Sequence, residues 1–213
     1  MQKSFRKVLA TYDNFAAFYD LMNGLYFFGR DKRFRSILVK KANLKTGDTV
    51  LDLCCGTGLN FPFILEKIGI QGTLVGVDVS SKMLRHSIER RLNGNVCLIR
   101  SDSAHLPLRN KSQDIILASF CLRITPKLDN VLDEIVRVLK SDGRLGVLAN
   151  SSPTGTLKIL GNMVTKLISL VNKVNFKINL NDYLFRKFKI LEVKKMHSGL
   201  VELLVGTSEN GNK

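Results

Sequence analysis

The chain has three histidines and four cysteines among 213 residues, and it lacks every spacing that would turn them into a zinc site: no Cys-x-x-Cys and no Cys/His cluster occurs. No uncharged apolar run approaches the roughly 20 residues of a membrane-spanning helix. The first ten residues, MQKSFRKVLA, are basic but hold no apolar core of a secretory signal. No internal repeat and no low-complexity segment breaks the pattern. The thiols of Cys54, Cys55, Cys97 and Cys121 therefore read as reduced, buried groups of a cytosolic chain. The adjacent pair Cys54-Cys55 is poorly placed for a bridge, because a disulfide needs Cα atoms about 5.5 Å apart.

Acidic residues are also scarce, 18 Asp and Glu against 33 Lys and Arg, and the excess is uneven. Residues 1–45 carry ten basic and three acidic groups, residues 46–150 thirteen and eleven, and residues 151–213 ten and four. A near-neutral middle between two basic flanks suits either a lysine-rich solvated surface or an acidic partner such as anionic lipid, nucleic acid or a phosphorylated substrate.

What the chain does have is an alternation of short apolar runs and helical periods. Apolar groups at Phe15, Phe18 and Met22 predict a helix over 11–23, ended by Asn23-Gly24, and a basic helix follows over 31–42. Strands are expected at Thr49–Leu53, Thr73–Val77, Asn95–Ile99, Asp114–Ser119 and Arg144–Ala149. Helices are expected between them, over about 59–68, from Ser80 or Ser81 to about Leu92, and over Pro126–Lys140 with Ser141-Asp142-Gly143 as its stop. The runs VLDL, TLVGV and DIILA are apolar throughout, as strands covered on both faces must be. The fold class is α/β: a doubly wound, mostly parallel sheet with helices on both faces. Phe188–Val193 and Leu200–Val205, joined at Ser198-Gly199, add an antiparallel hairpin at the end.

In such sheets ligands sit at the carboxyl ends of the strands. Gly56 and Gly58 follow the first strand and let the backbone approach a ligand. Asp78 ends the second strand, where a carboxylate can take ribose hydroxyls, and Asp102 ends the third, where it can read an adenine amino group. Together they describe an adenosine-containing cofactor. The dinucleotide fingerprint G-x-G-x-x-G lacks its third glycine, since Phe61 stands there. Asp52, just before the loop, would repel a pyrophosphate and favour a cation. That points to S-adenosylmethionine (SAM), which carries a sulfonium and an ammonium and no phosphate.

These segments resemble a known family. YDLMN at 19–23, VLDLCCGTG at 50–58, GVDVSSKML at 76–84, SDSAHLPL at 101–108, ASFCLRIT at 118–125, RVLKSDGRLGVLANSSP at 137–153 and SGLVELLVG at 198–206 carry the resemblance. They are similar to motifs of class I SAM-dependent methyltransferases, most closely the ubiquinone/menaquinone biosynthesis C-methyltransferases. The resemblance implies a Rossmann-like, seven-stranded sheet. It also implies SAM as cofactor and a lipid-soluble aromatic acceptor methylated on carbon. Carried over by position, Asp52 faces the amino-acid end of SAM and Gly56 and Gly58 lie beneath its methionine part. Asp78 binds the ribose, Val79 and Met83 pack near the adenine, Asp102 and Ser103 read its edge, and Ser119 faces the sulfonium. Cys54 stands where the family has Ala or Gly, and with Cys55 it reads as a small loop residue. Arg123 matches an arginine of the family's F-G-L-R segment and could stabilise a phenolate. Tyr19 could line the acceptor pocket. His86, His105 and His197 fall on no motif residue and read as surface groups.

The layout implied is one methyltransferase domain. It has a helical cap over 1–45, a SAM-binding core over 46–150, a lid helix over 154–174 and closing strands over 188–208. The lid, apolar with Lys158, Lys166 and Lys173, could also lie on an anionic membrane. Other classes share the cofactor motifs. A phospholipid N-methyltransferase suits the same membrane. A nucleic-acid methyltransferase suits the charge, but the fourth strand ends A-S-F-C rather than in the N-P-P-Y type of motif, and no RNA-binding module is visible. An arsenite methyltransferase needs several thiolates, and Cys55 and Cys121 could approach each other, but both replace glycine-like positions of the family. A catalytically inactive scaffold would lack SAM binding.

Overall fold

The computed structural model describes residue 13 and residues 16–90, 93–151 and 178–208. Seven strands form one sheet: β1 (Thr49–Leu53), β2 (Thr73–Asp78), β3 (Asn95–Arg100), β4 (Gln113–Ser119), β5 (Leu139–Asn150), β6 (Phe188–Met196) and β7 (Val201–Ser208). Their order is β3-β2-β1-β4-β5-β7-β6. The first five strands pair in parallel, and β7 runs antiparallel to both β5 and β6. The mixed sheet with its terminal hairpin is the one the sequence predicts.

Helices cover both faces. On one face α5 (Leu128–Val138) buries Leu128, Val131, Leu132, Ile135 and Val138, an i, i+3, i+4 stripe. With α6 (Leu180–Phe185) it packs on Leu51, Leu53, Ile116 and Ala118. On the other face α2 (Asp31–Ala42) and α3 (Phe61–Ile68) pack Phe34, Leu38, Ile64 and Ile68 against Val50, Leu74, Ile115 and Leu117. The helix ends are chemically consistent. Asp31 opens α2 and Lys40 and Lys41 close it, each matching the sign of the helix dipole. Ser80 caps α4 (Ser81–Ile88), its hydroxyl accepting from the Met83 N–H at 3.1 Å.

Several boundaries move from the sequence expectation. The first helix does not stop at Asn23-Gly24: a 3-10 turn at Ala16–Phe18 leads into α1 (Tyr19–Tyr26), which runs through both residues. The cause is the next residue, Phe27, which is buried against Phe34 and Phe120 and carries the helix end to itself. The Gly-loop helix begins only at Phe61, because the Phe61 N–H still closes a turn onto the Gly58 carbonyl. Ser141-Asp142-Gly143 is not the stop of α5 but lies inside β5. The helix ends at Val138, and pairing between β4 and β5 jumps from Gln113↔Leu139 to Ile115↔Arg144, so these residues form a bulge opposite Asp114. Gly143 is needed there, since a Cβ would lie 2.8 Å from the Asp114 carbonyl oxygen. The expected lid helix over 154–174 lies outside the described residues.

Candidate active site

The strands β1, β2 and β4 end beside one another, and a crevice of about 760 Å³, its open mouth included, lies over their carboxyl ends. Cys54 and Gly56 form its floor after β1. Asp78, Val79 and Met83 line it from β2 and α4, Ser101 and Ser103 from beyond β3, and Ser119, Phe120 and Cys121 from β4. Ile124, Thr125 and Pro126 form a further wall, and Tyr19 of α1 reaches in from the N-terminal side. Among the described residues the lining holds no lysine or arginine.

The Gly loop is tied to the second strand. The Gly56 N–H donates to Asp78 Oδ2 at 2.9 Å, and Asp78 Oδ1 accepts from the Ser80 N–H at 2.9 Å. Burial raises the pKa of Asp78, while these backbone donors pull it down. The two glycines do different work. A Cβ on Gly56 would meet nothing within 4 Å, so the residue leaves open space in the crevice. A Cβ on Gly58 would fall 2.7 Å from Phe61 Cδ2 and 3.1 Å from Ser87 Cβ, so this glycine serves helix packing. Cys54 and Phe120, at the ends of adjacent strands, both hold left-handed φ values, 53° and 61°. Non-glycine residues are rarely held in this way, and such strain gathers at functional sites.

Beneath the loop lies a buried polar chain that the sequence reading missed. Arg35 on α2 pairs with Asp31 at 2.9 Å and donates from Nη1 to Asn60 Oδ1 at 2.9 Å. Asn60 Nδ2 then donates to Asp52 Oδ1 at 2.7 Å and to Ser119 Oγ at 3.1 Å. All of these except Ser119 are buried. The guanidinium of Arg35 also lies 5.5 Å from the centre of the Phe120 ring. Asp52 Oδ2 is buried and has no partner among the described residues. Burial pushes the pKa of Asp52 up to about 7, against the Asn60 hydrogen bond and the Arg35 charge, which lower it. A half-satisfied carboxylate of this kind is a ready acceptor for a cation or an N–H donor. The available sequence signal was the polar Asn60 at the end of GTGLN, next to the helix start.

The remaining candidates separate. Tyr19 is in the crevice, and burial pushes its phenol up to about 12, so near neutrality it is a hydrogen-bond donor and not a base. Asp102 does not line the crevice: its Oδ1 accepts from the Ala104 N–H at 3.0 Å, and the neighbouring Ser101 and Ser103 form the lining. Arg123 is also outside the lining, although the next residue, Ile124, is in it. Its Nη1 donates to the Ile178 carbonyl at 2.6 Å, and its buried Nε has no partner among the described residues. Burial lowers its pKa and the charge of Glu202 raises it. The thiol that meets Cys121 is that of Cys54, not Cys55. Their interaction, with burial, raises the Cys54 pKa well above the usual thiol range, and Cys121 Sγ lies 3.7 Å from the Leu53 carbonyl oxygen. His197 sits in the β6–β7 turn beside Phe28, and His86 contacts Glu89. Among the described residues no group of three or more His, Cys, Asp or Glu could hold a metal ion, and no helix is long and apolar enough to cross a membrane.

Residues 1–183 match the model of the ubiE/COQ5 methyltransferase family. The chain belongs to this family. The demethylmenaquinone methyltransferase of Lactobacillus johnsonii is 39% identical over 150 residues, covering 68% of this chain and 62% of that protein. The ubiquinone/menaquinone biosynthesis C-methyltransferase UbiE of Francisella tularensis subsp. holarctica is 37% identical over 153 residues, 70% of this chain and 61% of that one. The matched region thus spans about three fifths of the length of these ubiE/COQ5 relatives. Among solved structures, a SAM-dependent methyltransferase from Thermotoga maritima, described as a possible histamine N-methyltransferase, superposes with a TM-score of 0.71 at 20% identity. It covers 94% of this chain and 99% of that one. A SAM-dependent methyltransferase from Aquifex aeolicus gives 0.63 at 20% identity, covering 82% and 89%. These likenesses show the fold: the sheet of the ubiE/COQ5 chain is that of the class I SAM-dependent methyltransferases.

Proposed function

We propose that the protein transfers the methyl group of SAM to a ring carbon of a quinone-type, lipid-soluble aromatic acceptor. The observation that carries the cofactor is the charge of the crevice. Among the described residues its lining has no cationic side chain and includes Asp78, and Asp52 Oδ2, without a partner among them, lies buried beneath its loop. A pyrophosphate would be repelled there, whereas a phosphate-free cation is favoured. SAM supplies an activated methyl group on a sulfonium. Asp52, held by Asn60, would take its amino end, the Gly56 backbone would lie under its methionine part, and Asp78 would accept from its ribose hydroxyls. Val79 and Met83 give an apolar bed for its base.

The acceptor class rests on the relatives, which are named for demethylmenaquinone and for ubiquinone/menaquinone biosynthesis. Phe120, Ile124 and Pro126 offer an aromatic ring an apolar wall, where it would be held in line with the methyl group. A ring carbon becomes nucleophilic when a hydroxyl beside it gives up its proton. We assign the Arg123 guanidinium, with its Nε unpartnered among the described residues, to stabilising that oxyanion, and the Tyr19 hydroxyl to donating a hydrogen bond to the acceptor. The enzyme would work from the cytoplasm and meet an anionic membrane peripherally to reach such an acceptor.

Isothermal titration of SAM tests the cofactor: binding that is lost in Asp78→Ala supports it, and no binding by the intact protein overturns it. Incubation with SAM and a demethylated naphthoquinol, followed by mass spectrometry, tests the acceptor. In Arg123→Ala we expect SAM affinity to stay and turnover to fall by about 100-fold or more. Full turnover in that variant would remove the role.

A further inference from the structure

α1 carries large apolar side chains on its outer side. Tyr19, Asn23 and Tyr26, at positions i, i+4 and i+7, face the body: Tyr19 enters the crevice, Asn23 Nδ2 is buried, and the Tyr26 hydroxyl donates to Asn150 Oδ1 at 3.4 Å. The large apolar side chains of the same turn-by-turn series are in solvent. Phe18 is 62% exposed, Leu21 62%, Met22 47%, Leu25 66% and Phe28 67%. No residue of α1 is buried. The spacing of three and four residues from Phe18 to Leu25 makes one continuous ridge, and Phe28 follows just past the helix end, where its φ is 51°. The inward side packs its aromatic Tyr26 against the core beside Phe27, so the outward ridge is a second apolar face, one that fits an apolar partner.

The charges around the ridge say which partner. Arg30, Lys32 and Arg33 follow it at once and are exposed. The two acids of the stretch are already neutralised: Asp20 pairs with Arg90 and accepts from Thr57 Oγ1, and Asp31 is buried on Arg35. Among the described residues neither Lys32 nor Arg33 makes an ion pair. An apolar ridge with a net positive end fits the anionic face of a bilayer, where the ridge enters the acyl boundary and the basic groups meet headgroups. A second copy of the chain fits less well, because a two-fold contact through this ridge would bring like charges together.

We propose that α1 is the membrane-docking face of the protein, seating Phe18, Leu21, Met22, Leu25 and Phe28 in an anionic bilayer. Resting on the quinone reading above, this also gives the acceptor a route. Tyr19 follows Phe18 directly and lines the crevice, so a ring lifted out of the bilayer at this helix reaches the crevice alongside it.

The test is co-sedimentation of the full chain with vesicles of phosphatidylglycerol and phosphatidylcholine, and with phosphatidylcholine alone. We expect partition onto the anionic vesicles only. Leu21→Ser/Leu25→Ser and, separately, Lys32→Glu/Arg33→Glu should each reduce it by about tenfold. Both variants should bind SAM as the parent does, which certifies their fold. Vesicle binding that is absent, or unchanged in both variants, overturns the proposal. So does a concentration-dependent dimer in light scattering that the leucine variant dissociates, because the ridge then belongs to a second copy. A chain that docks through α1 yet methylates no naphthoquinol keeps the docking face and loses the quinone reading.

Discussion

Asp52 is 1% exposed and holds one oxygen without a partner among the described residues, which makes it a costly residue with an ordinary reason to exist. Its pKa rises from 3.8 to about 7, so the folded protein keeps a proton that the unfolded chain has released. Its contribution to stability is therefore full below pH 3.8 and is lost as pH rises through about 7. Asp52→Asn should flatten that slope, and denaturation from pH 4 to pH 8 would measure a gain of about 2–4 kcal/mol at the alkaline end. A bound cation reverses the preference, so SAM affinity should rise with pH through the same window and SAM binding should release a proton. Titrations in buffers of different ionisation heat would detect it, and the asparagine variant should release none. The two loop glycines separate stability from binding. Gly58→Ala forces a Cβ into Phe61 at a φ of 76° and should cost about 2–3 kcal/mol, a melting point lower by about 5–10 °C. Gly56→Ala meets no atom and should lose SAM affinity at a smaller cost in melting temperature. At this scale the sequence pointed to Asp78 and Gly56, and both line the crevice. It did not reveal Arg35 and Asn60, which lie 25 positions apart and become partners only when α2 crosses the start of α3. Nor could it show that Asp102 spends its carboxylate on its own turn.

At the scale of elements, the Arg35 chain is what joins α2 to the Gly loop. A buried guanidinium that holds a carboxylate on one side and an amide on the other cannot be removed without leaving both unpaired. Arg35→Ala should cost about 3–5 kcal/mol in chemical denaturation. Because the Arg35 charge holds Asp52 down, the same change should move the pH dependence of SAM binding to higher pH. Strands and their order of appearance were legible because continuous apolar runs mark them, as in DIILA within β4. The helix ends were less so. Ser-Asp-Gly reads locally as a stop, but β5 had already begun at Leu139, and the triplet became a bulge around Asp114. Asn23-Gly24 likewise lost to the burial of Phe27. In both cases a distant contact outweighed a local preference of about 1 kcal/mol.

For the molecule as a whole, ligand and fold are linked by mass action. SAM at about 100 times its dissociation constant should add about 2.7 kcal/mol to stability, visible as a rise in melting temperature that Asp78→Ala lacks. The sheet order carries a consequence for how the chain is made. β7, the last strand described, lies inside the sheet, with β5 on one side from Arg144↔Thr207 to Asn150↔Val201 and β6 on the other. During synthesis the N-terminal strands can pair as they leave the ribosome, but β5 must wait with an open edge until Val201–Ser208 has emerged. An open edge of apolar strand is a template for other chains. A nascent chain stalled short of this strand would therefore recruit chaperones, and its release would set the moment at which the sheet closes.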